Sequence, residues 1–396
     1  MNNFPVKTGT ACEDMDITAA KRHRSQIVVF GLLTDDDKSM HLLLDEVFWL
    51  QYFKSNKIRA TLVTSEFSRH KILRDCPDLA SSIKMFPDYL KQFLSLNRLS
   101  LIERVFTAPR PRNSLVLVQG FEEVSLLIFL MINMFRNNKY ILVLTNNISQ
   151  DRLIRGGVAL RLLLRLIFKR CHFVFCHSEF ERELIYKYIK PRNINSIVKI
   201  KYHLMIAHYT KPKTSFNKRI ISFYGPLKLG KPIDDFVKLI RADTQKKFFY
   251  KIYNSGKNLE KGLIDDLRSR SNVQIIDKFM EYETYLQTVQ ESSYIFLPHD
   301  LAFEGKLSGN LCDCITNLVP FISNKIHPII EFTQQYGDLG YMYDFQKDHD
   351  WPNYFLQYEA EETREIFVSN LIRMREEYSF SKIKTEIDGY LLPLFG

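Results

Sequence analysis

The chain has 396 residues, of which 45% are hydrophobic and 25% charged; this composition is typical of a folded protein, and the length suggests two or three domains. Only 15 glycines against 30 phenylalanines and 20 tyrosines argue against a fibrous or disordered chain. The net charge of +10 arises in residues 151–219, which hold 16 Lys and Arg against 4 Asp and Glu, so we expect an anionic surface, polymer or membrane as a partner.

Residues 1–24 are polar and lack the apolar run of a signal peptide, so we expect a poorly ordered tail. The longest apolar run, SLLIFLMINMF (125–135), is too short to span a bilayer. The segment CHFVFCH (171–177) contains two Cys and two His. It alternates like a buried strand, and its spacing fits no common zinc site, so core packing is the favoured interpretation.

The first half of the chain alternates strands with helices. QIVVFGLL (26–33) is a continuous β-branched run, which is typical of a parallel strand buried on both faces. An amphipathic helix and a second strand, RATLVTSE (59–66), follow. Further strands are predicted at 114–120, 139–147, 172–178 and 196–204, with helices between them, one of which covers 151–170. This order predicts a doubly wound α/β sheet.

After a Lys/Pro/Ser-rich linker, KPKTSFNK (211–218), a second α/β series begins. Its strands are predicted at 219–225, 246–254, 272–277, 293–299 and 319–324, and the residues after 351 read as helical. We therefore predict an α/β protein with two Rossmann-like doubly wound domains, at 25–212 and 213–396. Open parallel sheets bind ligands at the carboxyl ends of their strands, so two such sheets facing each other predict a ligand cleft between the domains.

The segment FEGKLSGNLCDCITNLVPFIS (303–323) lies after one of these strand ends. Ser308, Gly309 and Asn310 stand where a helix should start, and the free N–H groups and the helix dipole there favour a phosphate. Glu304, just upstream, is able to accept hydrogen bonds from hydroxyl groups. Phosphate and hydroxyls together describe a nucleotide-sugar. The alternative is an ordinary capped helix between two strands, which the spacing alone favours.

A second loop, FYGPLKLGKP (223–232), follows the first strand of the second series. Gly225 ends that strand, and Lys228 and Lys231 lie in the turn after it. A lysine in this position can neutralise a diphosphate. The alternative is a solvated basic turn, which is common in any protein.

These features resemble the GT-B glycosyltransferases, and in detail the retaining group with an E-x7-E motif, family 4 of the glycosyltransferases. In the first loop of that group, G-R-x4-K-G, Gly225 and Lys231 match, whereas Pro226 replaces the arginine. Cys312 stands at the position of the second glutamate, so the motif is degenerate. The later motif is matched by Pro298, Glu304, Gly305, Pro320 and Ile322.

The resemblance implies an acceptor-side domain at 25–212 and a nucleotide-sugar domain at 213–396, whose last helix packs back on the first domain. Glu304 would contact the donor sugar, and the nucleotide base would stack near residues 277–279. The implied donor-binding residues are Gly225, Lys228, Lys231, Lys278, Phe279, Glu304, Gly305, Ser308, Gly309 and Asn310. The implied reaction moves a sugar from a nucleotide-diphosphate sugar to a hydroxyl of a glycan or lipid-linked acceptor, with retention and without a metal or other cofactor, in surface polysaccharide, lipopolysaccharide or glycolipid synthesis.

In such enzymes the first domain supplies acceptor groups from its loops. The candidate loops are TDDDKS (34–39), GFEE (120–123), TNNISQD (145–151) and HSEFER (177–182). Together with Glu304, we select Asp36 and Glu122 as candidate catalytic carboxylates, since an acceptor hydroxyl needs a base. Asp35 and Asp37 could alternatively form a metal-binding D-x-D with their neighbour. A third possibility is that these carboxylates only cap the helices that follow.

The predicted helix at 151–170 interleaves basic and apolar residues. Such a helix can lie on an anionic membrane, or it can be an ordinary helix with its basic face in solvent. The charge excess of the region favours the membrane, and with it a cytoplasmic protein attached to the inner face of the plasma membrane. The predicted membrane-contact residues are Arg152, Arg155, Arg161, Arg165, Lys169 and Arg170.

Two other function classes stay open. A nucleotide-sugar epimerase shares this fold and would release a changed sugar nucleotide without any acceptor. A non-catalytic polyanion-binding protein would use only the basic segment. The chain shows no RNP pattern, zinc finger or helix-turn-helix signature, so we do not expect a nucleic-acid partner.

Overall fold

A computed structural model gives the architecture of the chain. It describes residues 27–33, 40–64, 69–70, 72–73, 77–85, 105–144, 148–202, 219–225, 233–253, 261–277, 280, 282–297, 299 and 303–395. Within these ranges the chain forms two parallel sheets flanked by helices, which confirms the predicted fold class. We call the parts of the chain that carry the two sheets the first half and the second half.

The first half contributes seven strands. They are β1 (Ile27–Leu33), β2 (Ala60–Thr64), β3 (Ile83–Met85), β4 (Leu115–Phe121), β5 (Lys139–Val143), β6 (Phe173–Cys176) and β7 (Ile197–Lys199). All pair in parallel, in the order β3-β2-β1-β4-β5-β6-β7. The sequence did not predict β3, because three residues at a sheet edge carry too little periodicity.

The helices of the first half cover both faces of its sheet. They are α1 (Met40–Ser55), α2 (Glu123–Ile132), α3 (Gln150–Arg155), α4 (Gly157–Arg170) and α5 (Glu179–Leu184). A π-helical turn extends α5 to Ile189. The single helix predicted at 151–170 is wrong. The chain breaks between α3 and α4 because Gly157 has φ +59°, a left-handed value that glycine adopts without the usual steric cost.

The second half contributes six strands. They are β8 (Ile220–Tyr224), β9 (Phe249–Tyr253), β10 (Val273–Ile276), β11 (Tyr294–Leu297), β12 (Phe321–Asn324) and β13 (Gly340–Tyr343). They pair in parallel in the order β10-β9-β8-β11-β12-β13. The sequence did not predict the edge strand β13. The strand order reverses between β8 and β11, as it does between β1 and β4 in the first sheet, and ligands of open α/β sheets bind at such points.

The second half contains eight described helices, and the last three of them come after β13 in the chain. The eight helices are α6 (Ile233–Ala242), α7 (Lys261–Arg268), α8 (Tyr282–Glu291), α9 (Gly309–Asn317), α10 (Ile329–Tyr336), α11 (Trp351–Tyr358), α12 (Glu361–Glu377) and α13 (Phe380–Leu391). The last of them, α13, contacts α1 of the first half. The Tyr52 hydroxyl donates to Asp388 Oδ1 at 2.8 Å, and the rings of Phe48 and Phe380 lie 5.6 Å apart.

One apolar core connects the two halves. It contains Trp49 and Phe175 from the first half together with Leu311, Cys312 and Ile387 from the second half. The opposite face of the first sheet packs against α2, α4 and α5 in a separate core. The two sheets are therefore joined through the side that carries α1, α9 and α13.

Candidate active site

The two loops that the sequence singled out for the donor follow β8 and β11, the strands at which the second sheet reverses. Residues 303–308 lead into α9, and Ser308 occupies the N-cap position with an extended backbone, φ −85° and ψ 140°. The Ser308 side chain makes no capping bond. The N–H groups of the first turn are therefore not satisfied by this side chain, and their partial positive charge faces the helix entrance.

Asn310 ties the start of α9 to the end of β8. Its Nδ2 donates to the Tyr224 carbonyl oxygen at 3.1 Å, and its Oδ1 lies 3.3 Å from the Tyr285 hydroxyl oxygen. Asn310 is thus held by the protein itself. These bonds place the start of α9 beside the end of β8, where Gly225 directly follows Tyr224.

Gly225 has φ +146°, in the region that favours glycine. Its N–H donates to the Tyr253 carbonyl oxygen at 3.1 Å, which continues the strand pairing by one residue. The Tyr224 and Tyr253 rings stack beneath this turn, with their centroids 4.8 Å apart. Stacked aromatic rings therefore lie at the end of β8, next to Gly225.

Cys312, at the position of the second glutamate of the motif, lies in the core shared by the two halves. Burial raises the pKa of its thiol well above the usual value, and the carboxylates of Asp313 and Asp45 add to the effect. Asp313 turns toward α8, where the Tyr285 hydroxyl donates to its Oδ2 at 2.6 Å. Asp313 is therefore engaged within the second half.

Glu304 lies half-buried in the loop before α9. Its Oε1 accepts the backbone N–H of His327 at 3.3 Å. The pKa of the Glu304 carboxyl is raised above its usual value, because desolvation outweighs the opposing effects of the His327 N–H bond and of the His327 ring. One carboxylate oxygen is thus positioned by the loop between β12 and α10.

Gly305 is the point at which this loop touches the first half. It has φ +83°, and a Cβ built there would lie 3.1 Å from the Phe180 ring of α5. The same ring stacks on His327, with centroids 4.6 Å apart and planes 3° from parallel. A side chain at position 305 would therefore strain the backbone and press on the first half.

A small cleft, open to solvent, lies at this junction. From the first half it is lined by residues that follow β5, β6 and β7, and from the second half by the loop before α9. The lining residues are Leu144, His177, Ser178, Glu181, Tyr202, Gly305 and Leu307. The cleft thus occupies the position that the facing sheets predict, at the carboxyl ends of the first sheet.

The cleft wall contains a buried carboxyl group, Glu181, in the first turn of α5. Its Oε2 accepts the backbone N–H of His177 at 2.9 Å. Burial raises the pKa of Glu181 to about 8, against a small opposing effect of this bond. The sequence placed 177–182 among the candidate loops, because they follow a buried strand, but it singled out none of these residues.

A second carboxylate lies behind the cleft. The Tyr202 hydroxyl lies 3.1 and 3.2 Å from the two carboxylate oxygens of buried Asp45, and the His177 ring meets the Tyr202 ring edge-on at 4.6 Å. Sequence reasoning missed Asp45 and Tyr202. Neither gave a local signal, since Asp45 lies inside a helix and Tyr202 lies beyond an edge strand.

Glu122 caps α2. Its carboxylate accepts the backbone N–H groups of Val124 at 3.2 Å and Ser125 at 2.8 Å, and the Ser125 hydroxyl at 2.8 Å. This is the capping role that the sequence left open beside catalysis. Five predicted site residues lie outside the described residues: Asp36, Lys228, Lys231, Lys278 and Phe279. Asp35 and Asp37 lie outside them as well.

Four of the six predicted membrane-contact residues form ion pairs or hydrogen bonds to oxygen atoms within the protein. Arg152 pairs with Glu123 at 2.7 Å, and Arg155 pairs with Asp151 at 2.7 Å. Arg161 and Arg165 donate to main-chain carbonyl oxygens, whereas Lys169 and Arg170 are exposed. In the part of the chain that the structure describes, no helix is both long and apolar enough to cross a membrane.

Cys176 is a buried strand residue and Cys171 is half-buried, which agrees with the core-packing interpretation of 171–177. Among the described ranges, no cluster of three or more His, Cys, Asp or Glu side chains is arranged to hold a metal ion.

Comparison with known proteins shows the fold. No family model matches the chain, and no curated protein matches its sequence. Solved structures do match: Anabaena Alr3699/HepE, crystallised with UDP and glucose, has a TM-score of 0.63 and 13% identity, covering 93% of this chain and 100% of that one. Sucrose-phosphate synthase from Thermosynechococcus elongatus has a TM-score of 0.67 and 10% identity, covering 94% and 99%.

A third similar structure is the lipopolysaccharide outer core galactosyltransferase WaaB in its apo form. Its TM-score is 0.59 and its identity 12%, and the match covers 93% of this chain and 99% of that chain. These matches run over nearly the full length of both partners, so the similarity includes both halves and their arrangement. The chain therefore has the two-domain GT-B fold, whereas identities this low do not establish the reaction.

Proposed function

We propose that this protein is a glycosyltransferase that moves a sugar from a nucleoside-diphosphate sugar to a hydroxyl group of an acceptor. One observation carries the proposal: the start of α9 has no side-chain cap from Ser308, and Asn310 ties it to the end of β8. A helix start at the point where a parallel sheet reverses is suited to a phosphate. Similar structures support the choice of donor, since HepE was crystallised with UDP and glucose.

In this proposal the second half holds the donor. The N–H groups at Gly309 and Asn310 receive the diphosphate, and Lys231, with Lys228, neutralises its charge. Glu304 accepts hydrogen bonds from the sugar hydroxyls. The base lies near Lys278 and Phe279. Gly225 and Gly305 have positive φ values that favour glycine, and in this proposal they let the backbone turn beside the donor.

The first half supplies the acceptor side of the cleft. The acceptor hydroxyl approaches past His177 and Glu181, which line the cleft. Its proton passes to a carboxylate, for which Asp36 and Glu122 stay the sequence-based candidates, or to the departing phosphate. We propose transfer with retention and without a metal ion. The change at Cys312 means that the ribose contact of the E-x7-E group is made differently here.

The proposed acceptor is a glycan or a lipid-linked glycan in surface polysaccharide or glycolipid synthesis. Two observations support this choice: the basic excess of residues 151–219, and the fold similarity to a lipopolysaccharide galactosyltransferase. The protein would then work at the cytoplasmic face of the plasma membrane as a peripheral protein.

Donor hydrolysis tests the proposal. The full chain is incubated with a panel of UDP- and GDP-sugars without acceptor, and products are separated by ion-exchange chromatography. A transferase releases free nucleoside diphosphate slowly from its own donor. A new sugar nucleotide would identify an epimerase instead. If no donor binds or reacts, a polyanion-binding role gains support and the transferase proposal fails.

A further inference from the structure

The outer surface of α4 is apolar where an ordinary sheet-covering helix is polar. Val158, Leu162 and Leu166 are exposed, Val158 to 68%, and they recur every four residues along one side of the helix. Ile154, in the preceding helix α3, is also exposed. The buried side of α4 carries Leu164, Ile167 and Phe168, so this helix is apolar on two sides.

The arginines of α4 do not cover this surface. Arg161 Nε donates to the Leu153 carbonyl oxygen at 3.1 Å, and Arg165 Nε donates to the Ile189 carbonyl oxygen at 2.6 Å. The Arg161 guanidinium also lies 5.1 Å from the centre of the Tyr188 ring. Both guanidinium groups thus bond to main-chain oxygens of the protein. The apolar row beside these two arginines is not covered by them.

The neighbouring helix α2 presents a second apolar row. Val124 and Met131 are exposed, and just after the helix Met134 is exposed and Phe135 is 88% exposed. Both helices connect adjacent strands of one parallel sheet in the same direction, so right-handed crossovers place them on the same face. They pack into the same core and contact each other, which makes their outer sides one surface. Exposed apolar surfaces of this kind mark interaction sites.

We infer that this surface, the apolar ridge of Met131 and Phe135 with Val158, Leu162 and Leu166, inserts into the interfacial layer of an anionic lipid bilayer. The basic residues at the edge of this surface favour an anionic bilayer as the partner. Lys169 and Arg170 are exposed at the end of α4, and the Arg170 guanidinium lies 3.7 Å from Met134 Sδ, between the two rows. Apolar groups bordered by basic ones suit acyl chains bordered by anionic headgroups.

This inference specifies the membrane attachment that the proposed function includes, and vesicle binding can be measured whether or not the protein transfers a sugar. It also changes the predicted contact residues: the aliphatic row enters the membrane, while Arg161 and Arg165 serve the fold. Since α3 follows the carboxyl end of β5, one end of the ridge lies beside the cleft, where Leu144 is part of the lining.

Vesicle flotation with the full chain tests the inference, with phosphatidylcholine vesicles that contain or lack phosphatidylglycerol. We expect the wild type to float with the anionic vesicles. The triple variant Val158→Gln, Leu162→Gln, Leu166→Gln should lose at least tenfold in bound fraction. The matched control Ile366→Gln, at an exposed apolar position of α12, should bind like the wild type. The charge variant Lys169→Gln, Arg170→Gln should lose most of the preference for anionic vesicles.

A tryptophan reporter gives an independent measurement if the triple variant folds poorly. The two native tryptophans, Trp49 and Trp351, are fully buried. Lipid quenchers therefore act mainly on the fluorescence of an added surface tryptophan. With vesicles of brominated lipid, Leu162→Trp should be quenched and Ile366→Trp should not. Three results would overturn the inference: no flotation of the wild type, unchanged flotation of the triple variant, or a wild-type dimer that the triple variant dissociates in the absence of any vesicle binding.

Discussion

The Glu331 carboxylate of the second half accepts the backbone N–H of Glu179 in the first half. The Glu179 nitrogen lies 3.1 Å from each Glu331 carboxylate oxygen. Lys199 Nζ lies 2.5 Å from Glu331 Oε1. Because Glu179 is the first residue of α5, a carboxylate of one half caps a helix of the other. The cap lies beside Phe180 and His327, so it sets the spacing of the two halves at the cleft.

Replacement of Glu331 should weaken this junction. In Glu331→Ala the half-buried Lys199 ammonium and the Glu179 N–H lose their shared partner, and we expect the free energy of unfolding to fall by about 1–3 kcal/mol. Urea denaturation measures the change. Glu365→Ala, at an exposed position of α12 beyond its first turn, is the matched control and should be close to neutral. Equal stability of the two variants would contradict the capping role.

Glu304→Gln should remove most transfer activity while the fold is retained. The glutamine side-chain oxygen still accepts the His327 N–H, but a charge-assisted bond to a sugar hydroxyl is lost. Such bonds contribute about 1.5–3 kcal/mol, so kcat/KM should fall roughly 10- to 150-fold. Steady-state kinetics with a released-nucleotide assay provides the measurement, and Glu365→Gln serves as the surface control. Near-normal turnover of Glu304→Gln would remove Glu304 from the site.

Lys231→Ala should weaken donor binding. The lost contact is charge-assisted and contributes about 1.5–3 kcal/mol, so the Kd for the donor nucleotide should rise roughly 10-fold or more. Isothermal titration calorimetry checks this value. Lys238→Ala is the matched control, since Lys238 pairs with Asp235 on the exposed side of α6. An unchanged Kd for Lys231→Ala would argue against a diphosphate contact.

Chelation should leave the activity intact. In the proposed site, lysine side chains and helix N–H groups neutralise the diphosphate, so no divalent ion is needed for that purpose. Activity is compared in EDTA and in added Mg²⁺ or Mn²⁺. Strict dependence on either ion would favour the D-x-D alternative at Asp35–Asp37.

Glu181 should make the stability of the protein depend on pH. Its pKa is about 8 in the folded chain and about 4.5 when unfolded, so between these values the folded state holds the extra proton. Its contribution therefore lowers the stability as pH rises from 4.5 to 8, with a slope of up to about 1.4 kcal/mol per pH unit.

Glu181→Gln should remove this dependence while its side-chain oxygen still accepts the His177 N–H. We expect Tm of the variant to exceed that of the wild type at pH 8.5 and to approach it at pH 5. Thermal unfolding at both pH values gives the comparison. A wild-type advantage that grows with pH would show that Glu181 is stabilised as a carboxylate.

The sequence by itself determined the fold class and where the two loops proposed to hold the donor follow their strands. Runs such as QIVVFGLL and SYIFLPH carry their own periodicity, and the alternation of strands with helices permits few topologies. The position of Gly225 and of Ser308 after β8 and β11 follows from the same order. Edge strand β3 escaped prediction because it has only three residues, and β13 because its half-buried GYMY segment carries no continuous apolar run. The break at Gly157 escaped because a glycine inside a helical pattern does not reveal its φ.

Only the tertiary structure decided which side chains share the cleft and which way the helices face. Tyr52 and Asp388 bond across 336 residues, and Lys199 and Glu331 across 132, distances at which a sequence pattern gives no information. The aliphatic row of α4 faces solvent because the opposite side of the helix, with Leu164, Ile167 and Phe168, packs into the core. Local periodicity is set by backbone geometry within a few residues, whereas contacts depend on packing between segments far apart in the chain.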